Sequence, residues 1–237
     1  MKRQKRRRLR RWAKGILLLF ACLILYRGGI FLKDKAESIF FAEQIDRIFF
    51  TEQAGNTETA EYPDFVGSKN QIIYYNQEDP RWGEDTYGPV DKIKDAGCGP
   101  TVLAMAVSSF TENQMNPKEM CDWAYLNGYC SVGSGSYHTL IGQGLGYFGI
   151  KTTVTNNRRE VEAALENGKP VIALMGEGHF TSGGHFILLC EIDDDGKVTV
   201  ADPKSAERTA QKWNFDIITE EAKMSPVSGG AFWILEV

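Results

Sequence analysis

Cys98 has the sequence surroundings of a nucleophilic thiol. It lies between two glycines, two residues before Pro100, at the start of an apolar segment with helical spacing. Proline is favoured in the first turn of a helix, so the pattern predicts a helix that begins near Cys98. Unpaired N–H groups and the positive end of the helix dipole would stabilise a thiolate there. The residues leave one alternative open, a small buried cysteine that packs at a helix start.

A histidine and an aspartate are predicted to meet on one face of a β-hairpin. His185 opens an apolar strand, residues 193–196 give a strong turn signal, and Asp202 ends the returning strand. With Ile192 paired to Lys197, the alternation of side chains makes the histidine and the aspartate diagonal neighbours on the same face. A tighter two-residue turn at Asp195-Gly196 would keep them on the same face but further apart. A thiol, a histidine base and a carboxylate that orients the base are the parts of a nucleophilic hydrolase site.

The remaining histidines and cysteines are weaker candidates. His179 lies in a glycine-rich loop with no matched carboxylate partner, and His138 is interpreted as a structural or surface residue. Cys121 and Cys130 would be able to form a disulfide in an exported protein. Alternatively, Cys121 and Cys190 are small core residues. The cysteines lack the short paired spacing with histidines that a structural zinc site needs, and the chemistry requires neither metal nor cofactor.

The charge of the 237-residue chain is distributed unevenly. Residues 1–14 hold nine Lys or Arg and no acid, which leaves 18 of the 27 basic residues against 31 Asp and Glu in the rest. A nucleic-acid partner for the basic run is disfavoured because a hydrophobic segment follows it directly. The P-loop motif of ATPases does not occur in the sequence.

Residues 15–32 are predicted to anchor the chain in a membrane. Residues 15–26 carry no charge, and extension to Leu32, with Arg27 snorkelling near the outer end, gives a spanning length. The basic flank predicts a cytoplasmic N-terminus and an extracytoplasmic remainder. Two alternatives remain open: a cleaved signal peptide, which would give a secreted protein, and lipid modification of Cys22.

The sequence divides into four predicted regions. Residues 1–14 are a basic cytoplasmic segment, 15–32 the transmembrane anchor, 33–70 an amphipathic stalk and flexible linker, and 71–237 one globular domain. The stalk carries an apolar stripe with helical spacing, formed by Ile39, Phe41, Ala42, Ile45, Ile48 and Phe49.

Helices are predicted to precede strands within the globular domain. After a short predicted strand at 72–75, the predicted helices begin at Cys98, Asn116 and Asn157. The later predicted strands are 170–175, 185–192, 197–203 and 232–237. Helices first and an antiparallel sheet afterwards indicate an α+β domain.

Four ordered sequence blocks carry a resemblance to a known family. They are Tyr75-Asn76-Gln77-Glu78-Asp79-Pro80-Arg81-Trp82, Gly97-Cys98-Gly99-Pro100-Thr101, Gly184-His185-Phe186 and Ala201-Asp202-Pro203. Residues 72–237 resemble the cysteine peptidases that process bacteriocins at double-glycine leaders, a branch of the papain-like superfamily. The resemblance implies a papain-like fold, with a nucleophile helix packed on a C-terminal antiparallel sheet. It also implies Cys98 as nucleophile, His185 as general base, Asp202 as its orienter and Gln77 as oxyanion-hole donor.

The sequence therefore predicts a membrane-anchored extracytoplasmic thiol hydrolase that cleaves a peptide amide through a thioester. Its expected partners are a peptide or protein substrate and the membrane. Two other functions use the same features: a cell-wall amidase or acyl transferase with the same thiol chemistry, and a catalytically idle binding module displayed at the surface.

Overall fold

The computed structural model describes residues 65–223 and 229–237. The predicted anchor at 15–32, the amphipathic stripe and most of the 33–70 linker lie outside these ranges. Within them, no helix is both long enough and apolar enough to cross a membrane.

The described part of the chain contains both helices and strands. The helices are α1 (Ile93–Ala96), α2 (Cys98–Phe110), α3 (Pro117–Leu126), a π-helix (Leu140–Gly144) that continues into α4 (Leu145–Tyr147), α5 (Arg158–Glu166), α6 (Ala206–Thr209) and α7 (Phe215–Glu220). The strands are β1 (Phe65–Val66), β2 (Ile72–Ile73), β3 (Thr86–Tyr87), β4 (Asp91–Lys92), β5 (Cys130–Ser131), β6 (Gly135–Ser136), β7 (Lys151–Thr155), β8 (Val171–Met175), β9 (His185–Ile192), β10 (Lys197–Ala201), β11 (Lys212–Asn214) and β12 (Phe232–Glu236).

Six strands form the main sheet, in the order β11-β10-β9-β8-β12-β7, and every neighbouring pair is antiparallel. The α+β class predicted from the sequence is confirmed. The central strands β8 and β9 are buried along their whole length, because helices cover both faces of the sheet.

Two hydrophobic cores lie on opposite faces of this sheet. Along β9, Phe186 and Leu188 belong to the core that contains α2 and α3, whereas Ile187 and Leu189 belong to the core that contains α5 and α7. This is the two-residue alternation expected of a strand buried on both faces. α2 packs against β9, and Cys98 at the start of the helix interacts with His185 and with the backbone of Phe186 at the start of the strand.

The local sequence signals explain how α3 and α5 begin. Asn116 caps α3 in a reciprocal capping box with Glu119, and Pro117 occupies the first turn. The Asn157 side chain accepts a hydrogen bond from the N–H of Arg159 at the start of α5. Both helices begin within one residue of their predicted start.

The hairpin between β9 and β10 differs from the predicted register near its turn. Ile192 pairs with Val198, so the predicted pairing of Ile192 with Lys197 is wrong. A β-bulge between Thr199 and Val200 takes up one residue, and beyond it Ala201 pairs with Leu188. The bulge returns the strands to the predicted register where they approach the candidate site.

Candidate active site

Cys98 is the first residue of α2, as predicted, and is half-buried. A side chain at position 97 would bring its Cβ within 2.5 Å of the Ile93 carbonyl oxygen, so only glycine fits before the cysteine. A Cβ at position 99 would lie 3.0 Å from the Ser136 hydroxyl oxygen. The two glycines thus allow the chain on either side to approach closely around the thiol.

His185 and Asp202 lie at the same end of the sheet and are hydrogen-bonded. His185 opens β9 and Asp202 directly follows β10, and the His185 Nε2 lies 2.8 Å from the Asp202 Oδ1. Asp202 is fully buried and His185 is 4% exposed. Because Nε2 is engaged by the carboxylate, Nδ1 is the ring nitrogen left for Cys98.

The interaction between these groups shifts the pKa of each. Burial alone would raise the pKa of the Cys98 thiol, but the hydrogen bond and charge of His185 outweigh it and hold that pKa below its ordinary value. Burial would lower the pKa of His185, but Asp202 and Cys98 raise it to about 9. Burial acts to raise the pKa of Asp202, and hydrogen bonds from His185 and Arg208 more than offset it. The directions favour a thiolate beside an imidazolium at neutral pH.

Gln77 is buried next to the chain segment that leads into α2. Its Nε2 donates to the carbonyl oxygens of Lys94, at 2.7 Å, and Ile93, at 3.3 Å. Its Oε1 is buried and has no hydrogen-bond partner among the described residues. Both carbonyls have a second donor: Gly97 N for Ile93 and Lys204 Nζ for Lys94. The amide can therefore turn away from them without leaving either acceptor unpaired.

A cleft of about 370 Å³ opens beside Cys98. Its lining includes the carboxylate residues Asp91 and Asp95 together with Lys223 and His138. The sequence predicts only a structural or surface role for His138, because no spacing rule links it to Cys98, but the structure places it on the cleft lining. Its imidazole packs edge-on against Phe186, and burial and the charge of Lys223 lower its pKa.

Arg208 also belongs to the surroundings of the site, and the sequence gave no signal for it. Its Nε donates to the Asp202 Oδ2 at 2.5 Å. An arginine six residues beyond the aspartate has no recognisable motif, and the contact depends on how the intervening loop folds.

The prediction that His179 lacks a carboxylate partner is wrong. Glu221 accepts hydrogen bonds from the His179 backbone N–H, at 2.8 Å, and contacts its Nδ1. The partner was missed because it lies 42 residues away in the sequence. The histidine that interacts with Cys98 is nevertheless His185.

The described cysteines carry free thiols. Cys121 and Cys130 are unpaired, and Cys121 and Cys190 are fully buried, which confirms their interpretation as core residues. Burial raises the pKa of all three thiols. Cys98 is thus distinguished from the other described cysteines by a lowered pKa.

Comparison with known proteins places the chain in a family. Residues 69–227 match the model of the Peptidase_C39 like family. The chain is similar to the peptidase domain of Streptococcus ComA, a bifunctional ABC transporter involved in a quorum-sensing pathway, with 15% identity and a TM-score of 0.45 over 62% of this chain and 93% of that one. It is also similar to a C39-like peptidase from Bacillus anthracis, with 14% identity and a TM-score of 0.47 over 73% of this chain and 98% of that one. No curated protein sequence matches. The chain belongs to the C39-like peptidase family.

Proposed function

We propose that this chain is a membrane-anchored cysteine peptidase that cleaves a peptide amide outside the cytoplasm. Cys98 is the nucleophile, His185 the general base and acid, Asp202 the residue that orients it, and Gln77 the oxyanion-hole donor. Membership of a peptidase family supports the reaction class.

The observation that carries the proposal is the hydrogen bond between the buried Asp202 carboxylate and the His185 Nε2. It fixes the ring so that Nδ1 is directed to the thiol, and it favours the imidazolium form. The lowered pKa of Cys98 and the raised pKa of His185 are the directions that a thiolate nucleophile requires.

The reaction follows from these roles. The Cys98 thiolate attacks the substrate carbonyl carbon, and the carbonyl oxygen becomes an oxyanion that the Gln77 amide stabilises. The His185 imidazolium gives its proton to the leaving amine as the carbon–nitrogen bond breaks, which leaves a thioester. Neutral His185 then takes a proton from water as the water oxygen attacks the thioester carbon. The tetrahedral intermediate collapses, which releases the carboxylic acid product and restores the Cys98 thiolate beside the His185 imidazolium.

The charges of the cleft favour peptides with basic side chains. Asp91 and Asp95 lie on the lining beside Cys98 and outnumber the Lys223 ammonium on the same lining, and a cleft of about 370 Å³ lies within the usual range of ligand sites. Carboxylates in such a cleft raise the local concentration of cationic groups, an effect that salt weakens.

Labelling with a thiol-reactive electrophile tests the proposed nucleophile. The full-length protein is treated with iodoacetamide near pH 6, and the modified cysteines are mapped by mass spectrometry. We expect fast labelling of Cys98, none at that position in Cys98→Ala, and unchanged labelling of Cys98 in the matched Cys130→Ala variant. Labelling of Cys98 no faster than that of Cys130 would contradict the proposal. Fast labelling without turnover of any peptide or cell-wall fragment would instead favour the binding module.

Protease treatment of intact cells tests the proposed location. A tag after Val237 should be digested and a tag at Met1 should be protected, because the basic flank at 1–14 holds the N-terminus inside. Release of the C-terminal tag into the medium, with no membrane-bound form, would show that the N-terminal segment is a cleaved signal peptide and not an anchor.

A further inference from the structure

The two oxygens of the Asp202 carboxylate have separate sets of partners. Oδ1 accepts from the His185 Nε2 and from the backbone N–H of Lys204, each at 2.8 Å. Oδ2 accepts from the Arg208 Nε at 2.5 Å. Asp202 is fully buried, whereas the Arg208 side chain is 24% exposed. The carboxylate therefore lies between an imidazole and a guanidinium.

The loop from Asp202 to α6 holds Arg208 in this position. The Ser205 hydroxyl accepts a hydrogen bond from the Arg208 N–H and caps α6. The Arg208 carbonyl accepts from the indole N–H of Trp213, at 2.9 Å. The Thr209 hydroxyl accepts from the N–H of Asp202, which closes the loop on itself. Side-chain and backbone contacts thus fix both ends of the Arg208–Asp202 pair.

The other groups around Asp202 come from β9, from α2 and from two loops. His185 reaches it from β9, and Cys98 from α2 interacts with the far side of the imidazole. Beyond β2, the Tyr74 hydroxyl donates to the Asp202 carbonyl, and burial raises the pKa of that phenol to about 12, so it is neutral. The Lys204 ammonium is directed instead to the Lys94 carbonyl and to Glu78, which lies 3.4 Å away.

We propose that Arg208 is a positioning residue that acts through Asp202: its guanidinium keeps the buried carboxylate ionised and directed at His185. The inference rests on the proposed function, because it concerns the same thiol and imidazole. His185 is cationic only while it holds its second proton, and for the rest of the cycle the carboxylate would be a buried anion without a countercharge. Arginine stays protonated throughout, so Arg208 supplies that charge in every protonation state of the site.

Loss of Arg208 has a distinctive effect on pH dependence. An opposite charge at this distance lowers the pKa of a carboxyl group by about 1–3 units, so Arg208→Gln should raise the pKa of Asp202 by a similar amount. As the pH falls, Asp202 in the variant takes up a proton earlier, the imidazolium loses its partner, and the thiolate is protonated sooner. The acid limb of Cys98 reactivity moves up in pH. At high pH the thiolate persists whether or not His185 is protonated, so the profiles of the variant and the wild type should meet there.

The experiment measures the rate constant of Cys98 alkylation by iodoacetamide from pH 4 to pH 10, with the full-length protein and mass-spectrometric mapping. Arg208→Gln is compared with Arg208→Lys, which keeps the charge, and with Arg158→Gln. The last variant removes an exposed arginine that pairs with Asp216, outside the cleft lining. We expect the acid limb of Arg208→Gln to move up by about one unit or more, Arg208→Lys to recover most of this shift, and Arg158→Gln to match the wild type.

The outcomes separate this inference from the proposed function. Equal loss of rate at every pH, or an unchanged profile, in Arg208→Gln would overturn the role of Arg208 while the wild-type profile still supports the thiolate pair. An ordinary thiol profile in the wild type would overturn both. If Arg208→Gln does not fold, Arg208→Lys decides the question. If its acid limb lies at the pH of an ordinary thiol although the positive charge is kept, a role of Arg208 based on charge is contradicted.

Discussion

The backbone N–H of Gln77 donates to the carbonyl oxygen of Pro203 at 2.6 Å. This bond joins the segment that carries the proposed oxyanion donor to the loop that begins with Asp202. The Lys204 ammonium, which donates to the Lys94 carbonyl at 3.0 Å, links the same loop to the chain just before Cys98. The residues assigned to charge stabilisation, orientation and nucleophilic attack therefore share one hydrogen-bonded support.

Replacement of Gln77 by alanine separates oxyanion stabilisation from this support, because the variant keeps the N–H that binds Pro203. Loss of one oxyanion donor lowers kcat by about 10²–10³-fold. Alkylation of Cys98 should be nearly unchanged, since the contacts of the Gln77 amide are with the Ile93 and Lys94 carbonyls. Turnover and alkylation are measured on the same preparation.

The matched control for this variant is Gln143→Ala, which truncates an exposed glutamine in the π-helix and should retain both rates. Full turnover in a folded Gln77→Ala protein would show that Gln77 is a turn residue and that another group stabilises the oxyanion.

Asp202→Asn should move the acid limb of Cys98 alkylation up in pH and lower the pH above which turnover falls. The amide preserves shape but removes the charge that stabilises the imidazolium, so the pKa of His185 should fall by about 1–3 units and the pKa of Cys98 should rise. Turnover should fall because the ion pair between the Cys98 thiolate and the His185 imidazolium is populated over a smaller pH range. This pattern differs from that expected for Arg208→Gln, in which the basic limb of turnover does not move down, because removal of a nearby cation favours protonated His185.

Stability should also fall in Asp202→Asn, because the charge of Arg208 is left without its partner. Removing one member of a buried ion pair costs about 3–5 kcal/mol, and the partial exposure of Arg208 should reduce this cost. Asp216→Asn, which removes the carboxylate of an exposed pair, is the control. If Asp202→Asn reproduced the wild-type alkylation profile, Asp202 would have no electrostatic role.

Two pKa values should set the pH dependence of the wild-type site. Alkylation of Cys98 should fall below its lowered pKa, where the thiolate is protonated, and turnover should fall above about pH 9, where His185 loses the proton that it gives to the leaving amine. Alkylation should therefore remain fast below neutral pH. In His185→Ala the acid limb should move toward the ordinary thiol pKa of about 8.5. A His138→Ala variant should keep the wild-type pH dependence. A shifted acid limb in that variant, and not in His185→Ala, would identify His138 as the base.

Much of the candidate site follows from local sequence patterns. The turn at Gly97 and Pro100 predicts where α2 begins, and the alternation along β9 and β10 predicts that His185 and Asp202 meet. Each of these signals depends on a few neighbouring residues, and the cores on both faces of the sheet then make the register costly to change.

The features of the structure that no local sequence pattern predicts depend on tertiary folding. The bulge at Thr199 changes the pairing near the turn, and no residue in that strand marks it. Strand β7, an edge strand, is mostly Thr and Lys and lacks the apolar run by which the buried strands were recognised. Arg208 and Glu221 bind their partners across loops whose course no local pattern gives.

The close approach of Gly97 to the Ile93 carbonyl predicts that Gly97→Ala disturbs the entrance of α2. The new Cβ would lie 2.5 Å from a backbone oxygen, which cannot move aside as a flexible side chain would. Overpacking of this kind costs about 1–3 kcal/mol, and it should also slow alkylation of Cys98 by displacing the thiol from His185. Gly146→Ala is the matched control: it lies in α4, is exposed, and its Cβ would meet nothing within 4 Å. That change should be neutral or stabilising by up to about 1 kcal/mol. Denaturant unfolding of the two variants and the wild type measures the difference, and a Gly97→Ala protein as stable and as reactive as Gly146→Ala would show that α2 does not need glycine at its entrance.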